Sequence, residues 1–271
     1  MTRSLGLVYA ARASKAIVAH PYEGIQRTLE RIAERRDWRL PPWRYEVTPA
    51  AEERFHDLIG FRWPCEERLA FEQVWEAAID DLVSRGLAVG RGAFGGWDDA
   101  DAVLGRLAWC LALHLRPRRI IETGVARGLT TRVLLEALER TGNGHLWSID
   151  LPPLLERDLS LETGAAVPAR LYERWTLLRG SSRRLLPALI SDLGQLDLFV
   201  HDSMHTTRNL RFELELVWPA LQAGGAILID DVEKNLATGQ FLEARPGTPN
   251  VISVSADGEV LIGALVKPAS A

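Results

Sequence analysis

Short hydrophobic runs alternate with amphipathic stretches in the second half of the chain. We predict five strands from these runs, at 120–122, 146–150, 175–178, 196–201 and 226–229. The stretches between them carry apolar residues at helical spacing, which predicts helices over 130–140, 183–193 and 206–221. Buried strands that alternate with helices are typical of a parallel sheet covered on both faces.

The pattern at the C-terminus differs, because two apolar runs follow each other directly. The runs at 251–255 and 260–266 are joined by Asp257 and Gly258. An Asp-Gly pair between two such runs is a strong signal for a β-hairpin. We therefore predict an α/β fold whose mostly parallel sheet ends in an antiparallel hairpin.

The first hundred residues follow neither pattern. Helices are predicted over 25–36 and 66–84, on either side of a loop rich in proline and tryptophan. A glycine-rich loop then covers 90–97. One of the aspartates that follow it is expected to cap a helix that ends near residue 115, and the candidates are Asp98, Asp99 and Asp101.

We predict a domain boundary directly after the glycine-rich loop. We expect residues 1–97 to form a helical extension that contacts a bound small molecule or another subunit, and residues 98–271 to form the α/β domain.

Residues 5–11 are apolar, but Arg12 and Lys15 end this run too early for a secretory signal. We predict an amphipathic helix there.

Composition narrows the class of protein. With 47% hydrophobic and 25% charged residues among 271, the chain has the composition of a soluble globular protein. A net charge of −4 provides no basic field for nucleic acid, and no apolar stretch is long enough to cross a bilayer.

The two cysteines, Cys65 and Cys110, have no metal-ligand partner at short spacing, which argues against a disulfide framework or a zinc site. We predict a cytoplasmic protein.

The turn after the first predicted strand carries candidate binding residues, because ligands of open α/β sheets bind at the carboxyl ends of the strands. Gly124 permits a tight turn, Ala126 lets a ligand approach the backbone, and Gly128 allows close packing at the helix start. Asp150 ends the next strand, where it can accept hydrogen bonds from both hydroxyls of a ribose. The glycine spacing departs from the dinucleotide fingerprint, and the carboxylate of Glu122 suits a cationic sulfonium better than a pyrophosphate. Alternatively, Glu122 and Asp150 are only solvated ends of strands.

This turn, Asp150 and the hairpin ending together resemble a class I S-adenosylmethionine-dependent methyltransferase. The resemblance implies a Rossmann-like methyltransferase sheet with helices on both faces, with the methionine part of the cofactor beside the glycine turn and its ribose on Asp150. Residues 180–182 match the region that usually borders the adenine, although Ser181 stands where many relatives have an acid. The implied cofactor contacts are Glu122, Gly124, Val125, Ala126, Arg127, Gly128, Asp150, Gly180, Ser181 and Asp202.

Three carboxylates follow the fourth and fifth predicted strands. Asp202 ends the fourth strand, and Asp230 and Asp231 end the fifth. If these strands are parallel neighbours, the three carboxylates gather at one edge and repel one another unless a cation or a proton compensates them. Oxygen ligands of this kind suit magnesium, calcium or manganese. We predict a metal site of all three, whereas the alternative for Asp231 is a helix cap.

His205 lies one turn into the helix that follows, so that it can face the same cleft. A metal can lower the pKa of an acceptor hydroxyl, and a histidine can remove its proton near neutral pH. The stretch from His201 to His205, followed by 224–231, is similar to the macrocin and mycinamicin sugar O-methyltransferases and to the cephalosporin-hydroxylase-like branch. The resemblance implies magnesium-assisted O-methylation of a small molecule, with His205 and Asp202 as catalytic residues.

Several features leave alternatives open. A metal-independent methyltransferase acting on nitrogen or carbon remains a rival, as does a cofactor-binding partner protein without turnover. A nicotinamide-dependent dehydrogenase is disfavoured by the spacing of the glycine turn. The insertion over 151–170 is predicted to be a lid or a wall of the acceptor site, and one of Trp43, Trp63 and Trp97 could stack on the acceptor. The acceptor itself is not identified, and a homo-oligomer is compatible with the sequence.

Overall fold

The fold is built on one seven-stranded sheet with the strand order β3-β2-β1-β4-β5-β7-β6. The computed structural model describes residues 14–15, 17–151 and 153–268, so the helix predicted over 5–11 lies outside the described residues. The strands are β1 Arg119–Thr123, β2 His145–Asp150, β3 Trp175–Arg179, β4 Leu196–His201, β5 Leu221–Ile229, β6 Asn250–Val254 and β7 Leu261–Val266. Strands β1 to β5 pair in parallel, whereas β7 is antiparallel to both β5 and β6. The predicted parallel sheet with an antiparallel ending is confirmed.

Helices cover both faces of this sheet. They are α1 Pro21–Asp37, α2 Ala51–Ile59, α3 Arg68–Ser84, α4 Ala102–Leu115, α5 Leu129–Thr141, α6 Arg157–Glu162, α7 Ser182–Leu193, α8 Thr207–Ala220 and α9 Ala237–Glu243. Because successive side chains of a strand point to opposite faces, Ile120 packs with α3, α4 and α5 while Ile121 packs with α7, α8 and α9. None of the described helices is both long enough and apolar enough to cross a membrane.

Three short helices were not predicted from the sequence, namely α2, α6 and α9. In α2 the residue before the helix is Ala50, which has a positive φ of 49° and no capping side chain. The strong start signal expected of a helix is therefore missing. By contrast, α4 begins where one of the three candidate aspartates predicted it, because Asp101 Oδ1 accepts hydrogen bonds from the backbone N–H groups of Val103 and Leu104, at 2.7 and 3.2 Å.

The predicted boundary after residue 97 does not divide the hydrophobic core. Phe55 of α2 and Phe71 of α3 belong to the same buried cluster as Trp109 of α4 and Ile120 of β1. The contact between α3 and α4 is close, since a Cβ added at Gly105 would lie 2.7 Å from the ring of Trp75. The helical extension is thus packed against the sheet as part of one core.

A buried carboxylate joins α8 to the ends of two strands. Glu213 Oε2 accepts a hydrogen bond from Thr123 Oγ1 at 2.9 Å and pairs with His201 Nδ1 at 2.7 Å. Its other oxygen accepts from Asn209 Nδ2 at 2.9 Å. Burial acts to raise the pKa of Glu213, but the His201 ring and the hydrogen bonds hold that pKa below its ordinary value. The ionised glutamate therefore stabilises the carboxyl ends of β1 and β4.

We expect Glu213→Ala to lower the free energy of unfolding by about 3–5 kcal/mol at pH 7, because it leaves buried polar partners unpaired. The matched control, Glu215→Ala, changes an exposed glutamate of the same helix and should alter stability by less than about 0.5 kcal/mol. Urea unfolding measures both.

The pH dependence adds a second check. A carboxylate with a lowered folded pKa stabilises the protein above the unfolded pKa of about 4.3, and that contribution disappears as the pH falls through the folded pKa. The difference between the wild type and Glu213→Ala should therefore shrink in acid. Equal stabilities for the two alanine variants would contradict this role for Glu213.

Candidate active site

The carboxyl ends of the central strands meet at one edge of the sheet. Backbone hydrogen bonds continue the parallel pairing one residue beyond each strand, from Gly124 N to Ile149 O at 2.9 Å and from Asp202 N to Thr123 O at 2.8 Å. Another joins Asp230 N to the carbonyl oxygen of His201, at 2.9 Å. These bonds place the glycine turn and the two aspartates side by side, and a cavity of about 600 Å³ opens beside them.

Most of the residues predicted from the sequence line this one cavity. Those that do are Gly124, Val125, Ala126, Asp150, Gly180, Ser181, Asp202, His205, Asp230 and Asp231. Three predicted cofactor contacts do not, and they are Glu122, Arg127 and Gly128. The prediction that the glycine turn and the acidic cluster share a cleft therefore agrees with the geometry.

The glycine turn approaches the end of β4 more closely than a side chain would allow. Gly124 has a φ of 88°, and a Cβ added to it would lie 1.8 Å from the carbonyl oxygen of Asp202. Ala126 also has a positive φ, of 48°, which is uncommon for a residue with a side chain. The turn is thus held in a conformation that exposes its backbone to the cavity.

Asp150 presents one free carboxylate oxygen beside this turn. Its Oδ1 accepts a hydrogen bond from Val125 N at 3.2 Å, while the buried Oδ2 has no hydrogen-bond partner among the described residues. Burial raises the pKa of Asp150 to about 6. A buried carboxylate oxygen without a partner costs free energy, which a ligand that donates a hydrogen bond would recover.

Helix α1 contributes residues that were not predicted as part of the site. Arg27 lines the cavity, and its guanidinium donates a hydrogen bond to the carbonyl oxygen of Leu151. The carboxylate of Glu23 accepts from Ser181 N, with both oxygens at 3.2 Å, and from Arg184. An acid therefore does lie beside Ser181, but it comes from a distant part of the chain. Local sequence around 180–182 carries no signal for it.

Glu122, a predicted cofactor contact, is buried and does not line the cavity. Its Oε2 accepts hydrogen bonds from Thr131 Oγ1 at 2.8 Å and from Ser148 Oγ at 2.7 Å, beneath the turn. Burial raises the pKa of Glu122 to about 8, so its carboxyl group is mostly neutral at pH 7. Glu122 fixes the end of β1 instead of facing the cavity.

Arg127 and Gly128 also have structural roles. The buried guanidinium of Arg127 pairs with Asp99 at 2.8 Å and with Glu162 at 2.7 Å, and Arg127 is not among the residues that line the cavity. Gly128 precedes α5 with a φ of 84°, and a Cβ there would lie 3.2 Å from Gly164 Cα. The predicted close packing at Gly128 is confirmed, whereas a direct contact between its position and the cavity is not observed.

The acidic cluster can hold a cation between two of the predicted acids, Asp202 and Asp230, with His205 beside them. Ligand atoms of Asp202, His205 and Asp230 all lie within 4.8 Å of one another. Asp230 Oδ1 is buried and has no hydrogen-bond partner among the described residues. Burial, followed by the charges of Asp202 and Asp231, raises the pKa of Asp230 well above its ordinary value. A divalent cation at this position would compensate the repulsion.

Asp231, the third acid of the predicted metal site, pairs with two neighbouring side chains in the protein alone. Its Oδ2 accepts from His205 Nδ1 at 2.6 Å and from the ammonium group of Lys234. Its positive φ of 56° accompanies this orientation. Burial acts to lower the pKa of His205. The charges of Asp231 and the other carboxylates outweigh burial and raise this pKa to about 10. In the protein alone the imidazole is therefore protonated at neutral pH, and it becomes a proton acceptor only where additional positive charge lowers that pKa.

The opposite wall of the cavity comes from the glycine-rich loop and the β6–β7 turn. Arg91 of the loop lies 3.7 Å from Asp257 and also pairs with Glu259, which links the two segments. Trp97 lines the cavity, as one alternative predicted. Trp43 instead packs against Gly239, and Trp63 packs against a histidine ring of α2.

The insertion over 151–170 is only partly a wall of the cavity. Among its described residues, Leu151 and Pro153 line the cavity. Further along, Gly164 N donates to Ala126 O at 2.9 Å and Ala166 N donates to Arg127 O at 2.8 Å. The later part of the insertion thus stabilises the glycine turn through backbone hydrogen bonds.

Known proteins share this fold. Residues 121–232 match a family model described as a methyltransferase domain. TomG, an O-methyltransferase from Streptomyces achromogenes involved in tomaymycin synthesis and solved in complex with S-adenosylmethionine, has a TM-score of 0.54 at 17% identity, over 72% of this chain and 90% of TomG. An O-methyltransferase from Bacillus cereus in complex with S-adenosylhomocysteine has a TM-score of 0.54 at 16% identity, over 72% and 91% of the two chains. No curated protein matches the sequence.

We expect Gly124→Ala to lower the free energy of unfolding by more than about 3 kcal/mol. A positive φ costs a non-glycine residue about 1–2 kcal/mol, and the overlap with Asp202 forces the backbone apart in addition. Gly142→Ala is the matched control, since Gly142 has a φ of 65° and nothing within 4 Å of its added Cβ. Urea unfolding should show a loss of only about 1 kcal/mol there. Similar losses for both variants would mean that the close approach at Gly124 is not a constraint.

Proposed function

We propose that this protein is a class I S-adenosylmethionine-dependent methyltransferase that methylates a hydroxyl oxygen of a small molecule with the help of magnesium. One observation supports this more than any other. The glycine turn with Asp150, and the cluster of Asp202, His205 and Asp230, open into a single cavity. A methyl donor and an activated hydroxyl could therefore meet there.

The donor side of the cavity suits a nucleoside with an amino-acid part. The unpartnered Oδ2 of Asp150 can accept a hydrogen bond from a ribose hydroxyl, and the exposed backbone at Gly124 and Ala126 allows close approach of the methionine part. When bound, S-adenosylmethionine supplies an electrophilic methyl group that moves by in-line displacement. The chain's own contribution is to orient the acceptor oxygen and to exclude water from this path.

The acceptor side suits a hydroxyl that needs activation. Asp202 and Asp230 would hold magnesium, which prefers carboxylate oxygens and lowers the pKa of a hydroxyl it binds. His205 Nε2 lies 3.5 Å from Asp202 Oδ1 and has no hydrogen-bond partner among the described residues, so it can receive the proton. Asp231 holds the ring in place through Nδ1. Positive charge between the two other carboxylates also favours the neutral imidazole that this transfer requires.

A small hydroxylated acceptor fits the remaining wall. A cavity of about 600 Å³ lies within the usual range for small-molecule sites. Phe94 and Trp97 offer flat apolar surfaces, while Asp101, Lys234 and Glu259 offer hydrogen-bonding groups. Sugars and natural-product hydroxyls combine these two kinds of surface.

The metal can be tested without knowing the acceptor. We expect the complex with S-adenosylhomocysteine to bind one Mn²⁺, used as a paramagnetic substitute for magnesium and followed by electron paramagnetic resonance. Asp230→Asn should lose the ion and keep the nucleoside, while Asp158→Asn, on the exposed surface of α6, should keep both. In assays with a panel of hydroxylated acceptors, chelation should abolish methyl transfer and magnesium should restore it. Transfer that resists chelation would instead indicate metal-independent methylation.

Cofactor binding should depend on the ionisation of Asp150. Its pKa of about 6 predicts that affinity for S-adenosylhomocysteine falls below pH 6, because only the carboxylate accepts hydrogen bonds with both oxygens. Asp150→Asn should lose about 1.5–3 kcal/mol of binding free energy at pH 8, the value of a hydrogen bond to a charged group, and should show a flatter pH profile. Isothermal titration calorimetry measures both, with Asp158→Asn as the control. Wild-type affinity in Asp150→Asn would remove this residue from the cofactor site.

A further inference from the structure

A second cluster of metal-ligating side chains lies outside the cavity. It consists of His56 in α2, Cys65 in the segment before α3, and Cys110 and His114 in α4. One ligand atom from each residue lies within 4.8 Å of the other three. None of the four lines the cavity of the candidate active site.

Two distances within this cluster match those of a tetrahedral metal site. The two sulfur atoms of Cys65 and Cys110 are 3.7 Å apart, and Cys65 Sγ lies 3.5 Å from His114 Nε2. In tetrahedral zinc sites the Zn–S bonds are about 2.3 Å and the Zn–N bonds about 2.0–2.1 Å, so neighbouring ligands should be about 3.8 Å apart for two sulfurs and about 3.6 Å apart for sulfur and nitrogen. A disulfide would instead bring the two sulfurs to about 2.05 Å.

The hydrogen bond of His56 prepares the other nitrogen of its ring for a metal. Its Nδ1 lies 2.7 Å from the carbonyl oxygen of Glu52, so Nδ1 carries the proton and donates it. The lone pair is therefore on Nε2, which is buried and has no hydrogen-bond partner among the described residues. Histidines that bind metals are commonly oriented in this way by a carbonyl or carboxylate oxygen.

Aromatic rings flank the cluster, in which His56, Cys65 and Cys110 are buried and His114 is half-buried. Phe61 stacks on the ring of His114 with centroids 4.1 Å apart, and Trp63 lies 4.9 Å from the ring of His56. Cys65 and Cys110 are 7% and 2% exposed. Four protein ligands and a closed surrounding are typical of a structural zinc site, whereas a catalytic one keeps a position open.

We propose that His56, Cys65, Cys110 and His114 bind a structural zinc ion that fastens α2 and the segment after it to α4. A soft set of two thiolates and two imidazoles in tetrahedral arrangement selects zinc among the common divalent ions. The consequence reaches the active site, because the N-terminal turn of α4 supplies Asp101 and Leu104 to the cavity. The absence of a zinc site expected from the sequence is thereby revised, since Cys65 and Cys110 are 45 positions apart and meet only in the fold.

The first test is the metal content of the full chain. Protein purified without a histidine tag and without chelator should contain about one zinc per chain by inductively coupled plasma mass spectrometry. X-ray absorption at the zinc edge should show two sulfurs at about 2.3 Å and two nitrogens at about 2.0–2.1 Å. Protein that stays below a tenth of one zinc per chain after growth with added zinc would overturn the proposal. An intact mass lighter by two hydrogens, as a Cys65–Cys110 disulfide requires, would overturn it as well.

Variants locate the ion. His114→Ala and Cys65→Ser should each lose zinc and melt several degrees below the wild type. His145→Ala should keep its zinc, because the ring of His145 forms a hydrogen bond with the hydroxyl group of Thr176 in the sheet and lies outside the cluster. Asp230→Asn should also keep its zinc, which separates this site from the acidic cluster. Full zinc content in both ligand variants would contradict the assignment.

Cobalt provides a measurement that does not depend on how well the variants fold. Wild-type protein stripped of zinc and loaded with Co²⁺ should develop the intense visible absorption of tetrahedral cobalt together with thiolate-to-cobalt charge transfer. Zinc added afterwards should remove both bands. Weak absorption of the octahedral kind would mean that the cysteines are not ligands, and the proposal would fail.

Discussion

The close contact between the turn after β1 and the end of β4 sets the geometry of the whole site. A side chain at Gly124 would overlap the carbonyl oxygen of Asp202, so the two backbones can approach only where the first residue is glycine. Because of this approach, the wall that suits the methionine part of a cofactor and the first carboxylate of the acidic cluster are adjacent. Beneath them, Glu213 joins Thr123 and His201, the last residues of the same two strands, so that the contact rests on a buried hydrogen-bond network.

The carboxylates of the cleft have different chemistry because their partners differ. Asp231 pairs with His205 and with Lys234, two groups that carry positive charge when protonated. Asp230, one residue earlier, is half-buried, its buried Oδ1 has no hydrogen-bond partner among the described residues, and its pKa is raised well above the ordinary value. Neighbouring residues of the same type are thus divided between orienting an imidazole and exposing an oxygen. An added positive charge between Asp202 and Asp230, as the proposed function requires, would offset the repulsion between them.

The sequence predicts those parts of the fold and site that depend on local pattern. Short apolar runs mark the strands, and the parallel order of the strands is enough to bring Asp150, Asp202 and Asp230 to one edge. Side-chain direction is a different matter. The glycine turn is a single short segment, yet Gly124 and Ala126 face the cavity while Arg127 turns to Asp99, a partner that sequence spacing does not reveal. Contacts across long separations are equally hidden, and the contact of Glu23 with Ser181 is of this kind.

The N-terminal extension completes a site that the matched domain over residues 121–232 does not contain by itself. Carboxylates of α1 reach the starts of two helices of that domain, where Glu23 accepts from Ser181 N and Asp37 accepts from Thr207 N at 2.8 Å. Helix N-termini favour negative charge, so these contacts hold α1 over the cavity that Arg27 lines. The glycine-rich loop and the start of α4 also line the cavity. The helices α2 and α3, which precede them in the chain, pack into the same hydrophobic core as α4. In the proposed function, the donor side is built mainly from the matched domain and much of the acceptor wall from the extension. The extension would then be the place where acceptor specificity can change without loss of the methyl-transfer geometry.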